Sequence, residues 1–81
     1  MSEQAAPDFL SSLSAGQRGR VMGIDLPGSQ KQRLLEMGVT MNSEVEVVRF
    51  APLGDPVEIK VRGYHLSLRK HEAAGIRVMK L

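Results

Sequence analysis

The chain has 81 residues, a formal net charge of +2, 42% hydrophobic and 25% charged residues, and no cysteine. That length supports one small domain with a modest core, and the absence of thiols excludes disulfide staples, zinc fingers, iron–sulfur clusters and cysteine nucleophiles. No apolar run nears the roughly 18 residues a membrane span requires, and Met1 to Phe9 has neither a basic n-region nor an apolar h-region, so a cytoplasmic protein without membrane insertion is expected.

Residues 1–9 are small and polar and read as a flexible tail, leaving 10–81 as a single domain. Asp8 to Leu13 suits one helical turn capped by Asp8, and Ser14 to Gln17 suits a turn. Gly19 to Leu26 predicts a first strand with a bulge at Gly23. Ser29 to Gly38 predicts the one clear helix, with Ser29 and Gln32 as a capping box and Gly38 in the left-handed position that ends it. Leu34, Leu35 and Met37 form its apolar side, and Lys31, Arg33 and Glu36 its wet side.

After Gly38 the period changes from 3.6 to 2. Val45 and Val47 alternate with Glu44 and Glu46, and the parity then flips at Val48 and Phe50, the mark of a bulge. Ala51 to Pro56, with two prolines and a glycine, is a hairpin loop. Val57, Ile59 and Val61 alternate with Glu58, Lys60 and Arg62 in a half-buried strand. Gly63 marks a turn, Tyr64, Leu66 and Leu68 alternate again, Lys70 to Gly75 suits a single turn, and Ile76 and Val78 begin a last strand. Five short strands, one helix and regular turn signals predict a mainly β fold, a small barrel whose closure would hide its sheet edges.

The residues offer little catalytic chemistry. Seven serines face two histidines, without a G-x-S-x-G elbow, and Gly16 to Gly19 is neither a phosphate loop nor a dinucleotide fingerprint. The expectation is a protein that is not an enzyme. Imidazole and carboxylate are metal ligands, which makes His65, His71 and Glu72 candidates, but histidines six positions apart match no standard site, and solvated histidines are the simpler expectation. Three aromatics and one adjacent basic pair, Arg69-Lys70, argue against nucleic acid. Most of the five methionines suit core filling. Leu53, at the tip of a Pro/Gly loop, suits a partner anchor if it lies beside the helix, and Arg33, Arg62 and Arg69 suit pairing with a carboxylate or phosphate.

The run Arg33-Leu34-Leu35-Glu36-Met37-Gly38-Val39-Thr40 resembles the helix and glycine stop of the ferrous iron transport protein A (FeoA) family. Ala51 to Pro56, Val57 to Tyr64 and Leu66 to Arg69 resemble that family's hairpin, and Leu13, Gly16 and Gly19-Arg20-Val21 fit its start, so the resemblance covers about residues 10–81. Met41-Asn42 departs from it where a Pro-Gly turn is the family's form. The resemblance implies an SH3-like barrel with an inserted helix, also found as the C-terminal domain of iron-dependent repressors, and a cytosolic accessory of bacterial ferrous iron uptake. The implied partner is the membrane transporter FeoB with its GTP-binding domain.

The expectation is therefore a module that docks on FeoB and modulates Fe(II) transport or its GTPase cycle. Its contact is expected in the cleft between helix and barrel, through Leu34, Leu35, Met37, Leu53 and Tyr64 with Arg33, Arg62 and Arg69 as a polar rim. An arginine acting in trans on the GTP site is one variant. Direct binding or sensing of Fe(II) is the alternative, with no cofactor otherwise required.

Overall fold

A computed structural model describes residues 8–81; the frayed start expected over Met1 to Pro7 lies outside the described residues. Six strands form one antiparallel sheet: β1 (Asp8–Phe9), β2 (Arg18–Ile24), β3 (Glu44–Phe50), β4 (Val57–Val61), β5 (Tyr64–Leu68) and β6 (Ile76–Lys80). Their spatial order is β1-β6-β2-β3-β4-β5. Helix α1 (Gly28–Glu36) is inserted between β2 and β3, and the one-turn helix α2 (Lys70–Ala73) between β5 and β6.

The alternation read from the sequence builds the core. Val45, Val47, Val57, Ile59, Val61 and Leu68 point to one side of the sheet and are fully or almost fully buried with Val21, Ile76 and Val78. Leu34 of α1 and Leu10 of a single 3-10 turn (Leu10–Ser12) close that core. Each fully buried aliphatic side chain contributes about 1.5–3 kcal/mol. Both expected bulges are present. The β2–β6 register shifts between Val21 and Gly23, and the β3–β4 register between Val47 and Arg49, which turns Val48 out of phase.

Several expectations need correction. The sheet does not close, because β1 and β5 do not pair. The 3-10 turn that follows β1 and the helix α2 that follows β5 contact each other instead. Asp8 and Phe9, placed in the tail by the sequence, pair with Val78 and Arg77 as β1. Asp8 therefore does not cap the first turn, whose N-cap is Phe9. Helix α1 starts earlier than expected. The Pro27 carbonyl accepts the Lys31 N–H at 2.9 Å, so the helix begins at Gly28 and Ser29 makes no cap bond. Met41 and Met79 are exposed rather than core-filling.

The far end of α1 is as predicted. Val39 N–H donates to the Leu34 carbonyl and Gly38 N–H to the Leu35 carbonyl, both at 3.0 Å, with Gly38 at φ +97°. This is the Schellman pattern, with buried Val39 packing beside buried Leu34.

Candidate functional site

The hairpin between β4 and β5 turns through Arg62 and Gly63, both at positive φ (52° and 85°), the two-residue geometry that suits the twist of paired strands. It brings Arg62 and Tyr64 against the end of α1. Arg62 Nη2 donates to Thr40 Oγ1 at 2.9 Å and Ser43 Oγ at 3.3 Å, and Arg62 Nε to the Gly38 carbonyl at 3.4 Å. The Tyr64 hydroxyl donates to the Met37 carbonyl. A cation and a donor thus meet the carbonyls that a helix C-terminus leaves unpaired. Two of the expected partner residues, Arg62 and Tyr64, are therefore engaged inside the fold.

At the other end of β5 a groove of about 450 Å³ opens between α1, β5 and α2, lined by Gln30, Arg33, Ser67, Arg69, His71 and Glu72. Glu72 organises it. Its side chain is only 3% exposed. One carboxylate oxygen accepts the Arg69 N–H at 2.9 Å, capping α2, and the other accepts from Arg33 Nη2 across the groove. A buried carboxylate needs such partners. The Arg69 and His71 side chains are exposed, and neither enters an ion pair among the described residues. One end of the Gln30 amide is buried without a hydrogen-bond partner.

The other expected residues divide plainly. Leu34 is core; Leu35 and Met37 are partly buried against it. Leu53 is 92% exposed, on a loop tied to α2 where Asp55 Oδ1 accepts the Lys70 N–H at 3.0 Å. The three metal candidates are not brought together. His65 faces Glu58 at 2.9 Å, Glu72 is held by Arg33, and His71 stands alone on α2. Among the described residues no three His, Asp or Glu side chains converge on one point. The hydrogen bond to His65, then that to Arg49, holds the Glu58 carboxyl below its ordinary range. A second open hollow of about 470 Å³, lined by Leu13, Phe50, Gly54 and Lys70 among others, carries a single charge.

Gln30 and Ser67 were missed by the sequence reading. The signal for Gln30 was present, since it sits one turn before Arg33 on the same helix face. Ser67 carried none, because its place depends on where α2 folds back.

The FeoA domain family matches residues 10–80. A Porphyromonas gingivalis protein, described as an Fe(2+) transport protein A/Fe(2+) transporter FeoB fusion protein, is 38% identical over 69 residues. That is 85% of this chain but 8% of the relative's length. The solution structure of FeoA from Chlorobium tepidum is 39% identical and superposes with a TM-score of 0.87, over 91% of this chain and 70% of that one. Stenotrophomonas maltophilia FeoA, solved with zinc and described as a procaryotic SH3 domain protein, is 29% identical with a TM-score of 0.76, over 88% of each chain. The open sheet with its inserted helix is thus the SH3-like fold that the sequence implied.

Proposed function

The chain belongs to the FeoA domain family, and on that premise we propose that it is a non-enzymatic accessory of ferrous iron uptake that docks on the cytosolic part of a FeoB-type transporter. The observation that carries this reading is the Porphyromonas gingivalis relative, in which a segment like this chain is joined to a FeoB transporter in one polypeptide. A fusion holds its parts at high effective concentration, which favours an interaction between them. The groove between α1, β5 and α2 is the proposed contact, because its Arg69 and His71 side chains are available to a partner. Modulation of the transporter's GTPase cycle would follow from docking near its nucleotide site.

A resident Fe(II) site is the weaker reading, since Arg33 holds Glu72 and Glu58 faces His65. The test is capture of the purified cytosolic domain of the transporter by this protein, with a GTP analogue or GDP present. Capture is expected, and a nucleotide preference would mark a regulator. The double variant Arg69→Glu/His71→Glu should lose about tenfold in affinity. No capture of the folded domain would overturn the docking reading.

A further inference from the structure

Among the described residues strand β5 is an edge of the sheet and pairs with β4 alone, in the register Val61↔Tyr64, Lys60↔His65, Ile59↔Leu66, Glu58↔Ser67 and Val57↔Leu68. A two-residue turn makes Val61 and Tyr64 a hydrogen-bonded pair, and antiparallel ladders alternate from there. The N–H and C=O groups of His65 and Ser67 therefore point away from β4, and neither residue's backbone joins a hydrogen bond elsewhere among the described residues. Proteins blunt such edges with proline, short length, charge or a covering element. Here β5 has five residues and no proline, and α1 stands across a groove instead of lying on the edge.

The groove beside that edge has a definite chemistry. Arg33, Arg69 and His71 line it against one carboxylate, Glu72, which Arg33 and the Arg69 N–H already satisfy. The basic side chains left over favour anionic groups. Gln30 lines the same groove, and an extended backbone laid along it supplies a donor or acceptor at every residue.

We propose that an extended, carboxylate-bearing segment of a partner protein adds to β5 as a seventh strand, pairing with the backbone of His65 and Ser67 and placing its acidic side chains against Arg69 and His71. Main-chain ladder bonds would give affinity and the basic groove would give selectivity. Arg33 and Glu72 hold the wall of the groove in place. This assignment deepens the docking reading and rests on it for the identity of the partner, although strand addition can be tested without that partner.

The test is amide hydrogen exchange of the full chain, followed by NMR, with and without a short peptide alternating Glu with Val and Thr. Exchange at His65 and Ser67 should slow by about tenfold or more at saturation. The Lys-for-Glu version of the peptide should not bind. Nor should a version N-methylated at alternate residues, which lacks the ladder donors and leaves the protein unaltered. The Arg69→Glu variant should bind the acidic peptide about tenfold more weakly, and its own spectrum will report whether it is folded. Unchanged exchange at His65 and Ser67, or equal binding of the N-methylated peptide, overturns strand addition. If that result comes with intact capture of the transporter's cytosolic domain, the docking reading stands and only its mode is wrong. Slowed exchange without capture supports the groove's chemistry and removes FeoB as the partner.

Discussion

The two ends of β5 carry an arginine each, and the structure uses them in opposite ways. Arg62, at the turn into β5, spends its guanidinium on Gly38, Thr40 and Ser43, and Tyr64 beside it spends its hydroxyl on Met37. Arg69, just past the other end, contributes a backbone N–H to the fold and leaves its side chain in the groove. One end fastens α1 to the sheet; the other leaves a charged groove beside an unpaired edge. Residue type alone does not separate a cation fastened into the fold from one left exposed in a groove. The difference lies in what each finds within reach.

The sharpest way to break the fastened end is Gly38→Val. Gly38 sits at φ +97°, and a Cβ there would strike the Tyr64 hydroxyl. The strain of a β-branched residue in the left-handed region should cost about 3 kcal/mol, read as a lower midpoint in urea at unchanged slope. Glu72→Ala comes next. It removes the cap of α2 and the bridge to Arg33, and should cost about 2 kcal/mol. It should also widen the groove, visible as altered NMR shifts at Gln30 and Ser67. Arg62→Ala should cost about 1 kcal/mol, as its bonds are partly exposed and lie at a helix C-terminus. The same change at Arg69 should move stability by less than about 0.5 kcal/mol.

The smallest effect concerns Glu58 on the outer face. Its folded pKa lies below the ordinary value of 4.5. The stabilisation is therefore present above the ordinary glutamate range and is lost as pH falls through the folded value. Glu58→Gln should lower stability slightly at neutral pH, flatten the acid limb, and meet the curve of the unaltered protein once Glu58 is protonated. A steeper acid limb in the variant would contradict the pairing with His65 and Arg49.

Much of this fold was legible because it follows local rules. Period-2 patterning placed β4 and β5, Gly38 marked the end of α1, and the parity flip at Val48 marked a bulge. The start of α1 was misread because Ser29 looks like a cap, whereas the Pro27 carbonyl takes the first helical bond. Two residues carry no period, so β1 was invisible. The open edge was hidden too, since closure depends on long-range packing, including the contact between the 3-10 turn and α2, that no local period reports. The site was half legible. Arg33 and Arg69, singled out as the polar rim of a partner contact, both line the groove, and so do His71 and Glu72, which were singled out for a different chemistry. Glu72 was read as a ligand beside a histidine because its partner, Arg33, is 39 residues away in the chain.

The most direct measurement is a paired one: thermal midpoint and affinity for the transporter's cytosolic domain, for Arg62→Ala and Arg69→Ala side by side. The account predicts a crossed result. Arg62→Ala lowers the midpoint and keeps its affinity at temperatures where it is folded, while Arg69→Ala keeps the midpoint and loses affinity. Unchanged affinity in Arg69→Ala, or affinity that simply follows the midpoint in both variants, would contradict it.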